Sequence, residues 1–257
     1  AEAYIEQGYN IIFGTTFGYI DAMAEMAEEY PDVIFLHCSG YLNNDTNFAN
    51  YFGKMYQPRY LSGLAAGAMT DSNKIGYVAA FPIPEVIRGI NAFAAGVNEV
   101  NPDATVEVVW TFTWFGPEAE TQAANALLET GADVLAQHQD STATGLAAEA
   151  AGAKWISYNT AYGKDSAPEA FVTAPVWDWG PYYVDIVESI IDGTFSTESY
   201  WGGMETGLVS LYDLSSDVPS DIATLIGEKT DAIIDGTLEV EIVEEEFISN
   251  VIGTVNP

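Results

Sequence analysis

The sequence is poor in basic residues and has no long apolar run. Seven Lys plus Arg stand against 38 Asp plus Glu, which gives a formal net charge of −31. A field of that sign repels nucleic acid and anionic lipid, so neither is an expected partner. No apolar run reaches the roughly 18 residues that a transmembrane helix needs.

Cysteine occurs once, as Cys38, so an internal disulfide is excluded. This residue lies in the apolar run VIFLHCSG and is expected to be a buried thiol rather than a nucleophile. No pair of His or Cys has the spacing of a metal site. The sequence also lacks a glycine-rich dinucleotide loop and a G-x-x-x-x-G-K loop. We therefore expect neither a metal nor a cofactor.

The acidic residues are scattered along predicted helix faces, which is typical of a solvated surface. Only five of the 257 residues are Lys, which indicates adaptation to high salt, with an ordinary acidic secreted protein as the alternative. A chain of this length can bury the core of one large domain or two smaller ones. Residues 1–10 show no targeting signal. A leader that is cleaved on export would already have been removed, so its absence does not indicate a cytoplasmic protein.

Two stretches of the chain, residues 8–39 and 131–158, share one order of apolar and small residues. Each predicts a strand, a loop, a small-residue helix and a second strand, which is the crossover unit of a parallel sheet. Residues 74–130 add strand, helix, strand and helix before the second copy, whereas residues 1–7 alone precede the first. By this symmetry the first lobe is expected to lack about 57 − 7 = 50 residues at its N-terminal side.

The remaining chain predicts a strand at residues 171–177, a helix at 181–193, a strand at 205–213 and a helix at 220–236. The fold class is therefore α/β, with two doubly wound parallel-sheet lobes joined by hinge crossings. We expect residues 1–72 plus 203–257 in the first, incomplete lobe and residues 73–178 in the second. Residues 179–202 would form a connecting helix and hinge.

Several segments together resemble one family in order and spacing. They are KIGYVAAFPIPEVIRGINAFAAGVNEV, GADVLAQHQDS, VWDWGPYYVDIVESIIDGTF and YWGGMETGLVSL. The family they resemble is the basic membrane protein family, and the resemblance runs from about Gly8 to Gly236. These are substrate-binding lipoproteins of ABC importers, related to purine nucleoside receptors. The resemblance implies a type I periplasmic-binding-protein-like fold, an ABC permease as partner, and an extracytoplasmic location with an anchor on a missing N-terminus.

The candidate ligand-binding residues follow predicted strands. In open parallel sheets, ligands bind beyond the carboxyl ends of the strands. Aromatic residues dominate these positions, and aromatic faces beside a few polar groups suit a flat heterocycle better than a sugar or an ion. The candidates are Phe17, Tyr19, Ser39, Phe81, Trp114, Asp140, Asn159 and Trp177.

The resemblance assigns roles to some of these positions. Trp114 stands where nucleoside-binding relatives place an aromatic ring that stacks on the base. Asn159 replaces an aspartate that holds the ribose hydroxyls, Trp177 replaces a lysine, and Ser39 replaces an acid. Asp140 matches the branch of the family that is most similar to this chain. Because these replacements remove groups that hold the sugar in the relatives, they favour a purine base over a nucleoside as the ligand.

His138, Asp140 and Ser141 raise the alternative of a catalytic centre. They are clustered at the start of one predicted helix, where Asp and Ser are ordinary caps, and no G-x-S-x-G elbow occurs. Capping or ligand binding is the better interpretation, and we expect no enzymatic activity. Asn44 begins an Asn-Asp-Thr triplet that fits a glycosylated surface loop.

The preferred hypothesis is an extracytoplasmic solute-binding protein of an ABC importer that closes on a purine-like ligand. A second hypothesis is a structural protein that keeps the fold and self-associates without transport. A third is a ligand sensor that feeds a signalling protein. Purine bound after purification would favour the first, ordered self-assembly the second, and a neighbouring kinase gene the third.

Overall fold

The computed structural model describes residues 1–255. Its helices are α1 Glu2–Ile5, α2 Ile20–Glu29, α3 Tyr56–Met69, α4 Pro84–Val100, α5 Pro117–Glu129, α6 Ala143–Ala151, α7 Gly163–Ser166, α8 Gly180–Ile191 and α9 Ser220–Ile234. Its strands are β1 Ile11–Gly14, β2 Ile34–Cys38, β3 Phe48–Gly53, β4 Lys74–Ala79, β5 Thr105–Trp110, β6 Val134–His138, β7 Lys154–Ile156, β8 Phe171–Thr173, β9 Pro175–Trp177, β10 Tyr200–Gly202, β11 Val209–Leu211 and β12 Val251–Ile252. No helix within residues 1–255 is long and apolar enough to cross a membrane.

The internal repeat is confirmed. The first copy forms β1, α2 and β2, and the second forms β6, α6 and β7, with parallel pairing in both. The two copies lie in separate sheets, so the predicted α/β class with two parallel-sheet lobes is also confirmed.

Unit 1 consists of Ala1–Lys54 and Trp179–Leu208. Its sheet has the order β1-β2-β3-β10, and all three pairings are parallel. On one face, Met23 of α2 packs with Phe35 and Phe48. Elsewhere in the unit, the ring of Tyr51 stacks on Tyr182 of α8 at 4.7 Å. The strands are therefore covered by apolar and aromatic side chains from two different helices.

Unit 2 consists of Met55–Asp178 and the chain from Val209 onward. Its six-stranded sheet has the order β12-β5-β4-β6-β7-β8, with parallel pairing throughout. Strands β9 and β11 form a separate antiparallel pair. The centre of the sheet is fully buried, which is expected of parallel strands with helices on both faces.

Helix α3 belongs to unit 2, whereas its residues are predicted from the sequence to lie in the first lobe. The reason is a close crossing with α4. A Cβ atom at Gly63 would lie 2.0 Å from the carbonyl oxygen of Phe93, and one at Gly96 would lie 2.1 Å from that of Tyr60. The two glycines bring the helix backbones into direct contact. The residues after Val209, also expected in the first lobe, lie in unit 2, where β12 pairs with β5.

The single strand predicted over residues 171–177 is wrong, because the structure divides it into β8 and β9. Strand β8 pairs with β7, and β9 pairs with β11. Ala174 separates them, and its carbonyl oxygen accepts a hydrogen bond from the Tyr212 N–H. Pro175 has no N–H to continue the ladder, which explains why the chain changes sheets there.

Candidate functional site

Three aromatic side chains, Phe81, Phe112 and Trp114, lie together at the carboxyl end of the unit 2 sheet, and we call this cluster the aromatic wall. Phe81 follows β4 and Trp114 follows β5, and their ring centroids are 5.3 Å apart with planes inclined by 56°. Phe112 adds a third ring, 6.4 Å from Phe81. Trp114 is only half-buried, so one part of its indole remains accessible beside the strand ends.

A chain of polar contacts runs beside this wall. The Asn159 amide donates a 2.7 Å hydrogen bond to Oδ1 of Asp140 and accepts a 3.0 Å bond from the indole N–H of Trp177. The backbone N–H of Asp140 donates to the carbonyl oxygen of Trp114 over 2.9 Å. Asn159 has φ of 67°, a left-handed conformation that Asn tolerates better than most residues. The structure thus brings together Trp114, Asp140, Asn159 and Trp177, all candidates from the sequence.

Asp140 has unusual electrostatics. Its side chain reaches solvent, and no residue in the range 1–255 donates a hydrogen bond to its second oxygen, Oδ2. The surrounding protein removes part of its hydration, and the nearby Glu120 and Glu85 repel its charge. These effects outweigh the hydrogen bond from Asn159 and raise the pKa of Asp140 to about 6. The group is therefore an acceptor at neutral pH that gains a proton in mild acid.

Glu120 fixes the loop that carries Asp140. This side chain is fully buried on α5, and one of its oxygens accepts the Gly116 N–H at 2.9 Å. The other accepts the Ser141 hydroxyl at 2.5 Å. Because Ser141 donates to Glu120 instead of to His138, the Ser–His–acid relay of a hydrolase is not formed.

His138 is buried under the wall. Its ring lies 6.2 Å from Trp114 and 4.5 Å from Tyr158, and Nε2 is 3.5 Å from Oε1 of Glu85, too far for a good hydrogen bond. Burial, helped by the charges of Arg59 and Arg88, lowers the pKa of His138 to about 4 against the opposing effect of Glu85. The imidazole is therefore neutral at pH 7.

Three of the predicted ligand-binding residues, Phe17, Tyr19 and Ser39, belong to unit 1. Phe17 and Tyr19 form a short 3-10 turn before α2, and Tyr19 is 54% exposed. Tyr19 lines a cavity of about 660 Å³ together with Phe13 of β1 and Met23 of α2. Ser39 has φ of 61° after β2, and its N–H donates to the carbonyl oxygen of Tyr51. A ligand contact by any of them stays a prediction.

Asn44, the predicted glycosylation position, caps its own loop. Its side-chain oxygen accepts the backbone N–H groups of Thr46, Asn47 and Phe48 at 2.8–3.0 Å. Its side-chain nitrogen, the atom that a glycan would modify, donates to Asn47 at 3.0 Å. Glycosylation at Asn44 stays a prediction. No group of three His, Cys, Asp or Glu within residues 1–255 is arranged to hold a metal ion.

Arg59, Glu85 and Tyr158 are not among the site residues predicted from the sequence. Arg59 is fully buried, and its guanidinium carbon lies 4.0 Å from the centre of the Tyr158 ring. A signal for it existed, because Arg59 is one of only two arginines and precedes the small residues Gly63 and Ala66 at helical spacing. Glu85 lies in the first turn of α4, where an acidic residue is too common to be informative.

Comparison with known proteins gives a family match over residues 1–242, to the Bmp model, described as ABC transporter substrate-binding protein PnrA-like. A putative ABC transporter glucose-binding protein of Haloferax volcanii is 44% identical over 93% of this chain and 61% of its own length. A purine-binding protein of Brucella abortus is 40% identical over 88% of this chain and 64% of its own length. The chain thus spans less than two thirds of either relative.

Solved structures agree on the fold. A solute-binding protein of an ABC transporter system from Aeropyrum pernix superposes with a TM-score of 0.80 at 17% identity, covering 95% of this chain and 80% of that one. A second solute-binding protein, from Conexibacter woesei, superposes with a TM-score of 0.74 at 22% identity, covering 93% of this chain and 82% of that one. At such identities the likeness is one of fold. With the family model matching most of the chain, this protein belongs to the Bmp family of PnrA-like ABC transporter substrate-binding proteins.

Proposed function

We propose that this protein binds a purine base outside the cytoplasm and delivers it to an ABC permease, with a membrane anchor on the mature protein. The family supplies the general role, because its members are substrate-binding proteins of ABC transporters. The purine-binding relative from Brucella abortus supports the ligand class. The ligand and the permease of this chain are inferences from the site in unit 2.

The observation that carries the proposal is the aromatic wall of Phe81 and Trp114 beside the exposed oxygen of Asp140. When a flat heterocycle stacks on the indole of Trp114, the hydrogen-bonding groups at the edge of the heterocycle point toward polar side chains that lie in its own plane. Stacking contributes about 0.5–1.5 kcal/mol beyond the burial of apolar area. A hydrogen bond to a charged acceptor adds about 1.5–3 kcal/mol. A purine offers both a flat face and ring or amino N–H groups.

The charge around the site favours a neutral ligand with N–H donors. Asp140 and Glu120 are close enough for Glu120 to raise the pKa of Asp140, and Glu85 acts in the same direction. Three neighbouring carboxyl groups, on α4, on α5 and in the loop after β6, disfavour a phosphate beside Asp140. We therefore favour bases and nucleosides over nucleotides as ligands.

The polar contacts of Asn159 favour a base over a nucleoside. Both ends of its amide are engaged, one with Asp140 and one with Trp177. Beyond these bonds Asn159 keeps one N–H and one lone pair, but it lacks the second acceptor oxygen with which a carboxylate holds a pair of ribose hydroxyls. Asp140 then supplies the charged acceptor for the ligand in unit 2, which suits the N–H groups at the edge of a base. We also propose that Phe17, Tyr19 and Ser39 contact the ligand.

Glucose is the second candidate, because the relative from Haloferax volcanii carries that name at 44% identity. An indole face also packs against the C–H groups of a sugar ring, and a carboxylate accepts hydroxyl groups. A sugar site, however, needs several polar groups around the ring. In unit 2 the polar groups beside Trp114 are already bonded to each other, apart from the oxygen of Asp140.

Mass spectrometry of small molecules released from the purified protein tests the proposal. Adenine, guanine or hypoxanthine in stoichiometric amounts is the expected finding. A Trp114→Ala variant purified in parallel controls for molecules that adhere elsewhere, and it should carry less purine. Release of hexose from the parent protein, without any purine, would replace the purine assignment with the glucose one.

A further inference from the structure

A group of buried polar side chains lies beneath the ligand site. Arg59 on α3 is 0% exposed and His138 on β6 is 2% exposed. Nη1 of Arg59 donates a 2.7 Å hydrogen bond to the carbonyl oxygen of Gln137. Nε and Nη2 of Arg59 and both ring nitrogens of His138 have no hydrogen-bond partner among residues 1–255. Buried polar groups are normally bonded to protein or to ordered water.

Arg59 is also a buried charge without a counter-ion. None of the ion pairs formed within residues 1–255 includes Arg59. The ring of Tyr158 covers one face of the guanidinium, and the hydroxyl of Tyr77, a second ring near Arg59, is itself buried and unbonded. Because an uncompensated buried charge is costly, acceptors are expected around the remaining N–H groups.

The backbone leaves room between Arg59 and His138 at Gly89 of α4. A Cβ atom built on Gly89 would lie 3.6 Å from Nδ1 of His138 and 4.0 Å from Cγ of Arg59. Both distances are ordinary van der Waals contacts. The space beside Gly89 therefore admits a group about the size of a methyl, and its walls carry an imidazole nitrogen and the side chain of an arginine.

We propose that an ordered water molecule lies beside Gly89, where it accepts a hydrogen bond from Nε–H of Arg59 and donates one to Nδ1 of His138. Buried waters typically make about three hydrogen bonds to groups that lack a protein partner.

The position of Glu85 favours water over an anion at this site. The negative carboxylate of Glu85 lies 3.5 Å from Nε2 of His138, and although this is too long for a good hydrogen bond, its charge favours the neutral tautomer with the proton on Nε2. Nδ1 then presents a lone pair to the space beside Gly89. A lone pair accepts a hydrogen bond from water and repels a chloride ion.

The water acts as a positioning element for the ligand site, and this role rests on the proposed function. His138 lies between Tyr158 and Trp114, at 4.5 Å and 6.2 Å from their ring centres. A bridge from Arg59 to His138 fixes the imidazole and, through it, the two rings. Arg59 and His138 are positioning residues in this proposal, because both are buried and act through the rings of Trp114 and Tyr158.

A pair of glycine substitutions tests the water site without any ligand. Gly227 lies inside α9, and a Cβ atom added there would have no other atom within 4 Å, so Gly227→Ala should raise the Tm by about 2–4 °C through helix propensity alone. Gly89 also lies inside a helix with ordinary φ. If a water bridges Arg59 and His138, the methyl of Gly89→Ala displaces it, and the Tm stays level or falls. A rise equal to that of Gly227→Ala would overturn the proposal.

A high-resolution crystal structure of the parent protein provides a second test that does not depend on the folding of any variant. The expected result is a density peak within hydrogen-bond distance of both Nε of Arg59 and Nδ1 of His138. Crystals soaked in bromide should show no anomalous signal at that position. Either a bromide peak there or the absence of any peak contradicts the proposal. Because no purine is used, failure of the ligand assignment leaves both results interpretable.

Discussion

In the proposed site, Trp114 is the residue on which recognition of the ligand is expected to depend most. Its substitution by alanine removes the stacking surface, and we expect a loss of purine affinity of at least about tenfold, which corresponds to 1.4 kcal/mol. Calorimetric titration measures the change. Trp110→Ala is the matched control, since Trp110 stacks on Phe247 and donates to the carbonyl oxygen of Thr254. That variant should lose stability and keep its affinity.

If Asp140 accepts a ligand N–H as proposed, binding is expected to depend on pH. Its pKa is raised to about 6, so the carboxylate accepts a ligand N–H fully above that pH and loses this ability as the pH falls through 6. Affinity measured between pH 8 and pH 5 should decline in the parent protein. Asp140→Asn should bind more weakly at pH 8 and show a flatter profile.

The same substitution has an opposite effect on the unliganded fold. A raised pKa means that ionisation of Asp140 destabilises the folded state, and this loss develops between the unfolded value of 3.8 and about pH 6. Asp140→Asn keeps the oxygen that accepts the Asn159 amide and removes the charge. A gain in Tm above pH 6 together with weaker binding is expected. Unchanged affinity at every pH would remove Asp140 from the ligand site.

At the scale of the elements, the crossing of α3 and α4 depends on glycine. Gly96→Ala would place its Cβ 2.1 Å from the carbonyl oxygen of Tyr60, a backbone atom that cannot rotate away. Overpacking of this kind costs about 1–3 kcal/mol or more. The denaturation midpoint should fall clearly, whereas Gly227→Ala, at an open position on α9, should raise it. Equal effects at the two positions would contradict the close crossing.

The alternation of strands and helices, and the meeting of the candidate residues at one edge of the unit 2 sheet, could be predicted from the sequence because local patterns determine them. The apolar runs of β1, β2, β6 and β7 are short and bounded by turns, and parallel strands bring their carboxyl ends to one edge. That rule identified Phe81, Trp114, Asp140 and Asn159 as candidates, and their contacts in unit 2 follow from it.

The parts that the sequence did not predict depend on contacts between distant segments. The apolar run of residues 171–177 continues through Pro175, so its division between two sheets is visible only from the partners β7 and β11. The only sequence signal for the burial of Arg59 is the row of small residues that follows it at helical spacing, and the burial itself depends on the close crossing of α3 with α4. The pairing of α3 with unit 2 comes from the same crossing, and no local signal specifies it.

At the scale of the whole molecule, excess negative charge predicts stabilisation by salt. The net charge of −31 far exceeds what the ion pairs of Lys54, Arg88, Lys154 and Lys229 neutralise. Exposed pairs of this kind contribute about 0–1 kcal/mol each, so their weakening by salt is a small loss. The screening length shrinks from about 30 Å at 0.01 M to about 3 Å at 1 M salt.

The Tm should therefore rise steeply between 0.01 M and 1 M KCl. A thermal denaturation series in KCl measures it, with a series in an uncharged osmolyte as the control for general exclusion effects. A flat or falling Tm in KCl would show that repulsion between surface acids does not limit the stability of this protein.

The central claim is that the ligand is a purine base, and calorimetric titration of the full chain tests it most directly. Adenine, guanine, adenosine, inosine and glucose are titrated separately at one salt concentration and pH 7.5. We predict saturable binding of at least one of the two bases, tighter than that of either nucleoside and unaffected by excess glucose. Binding of glucose, with no heat from any of the four purine compounds, would contradict the account.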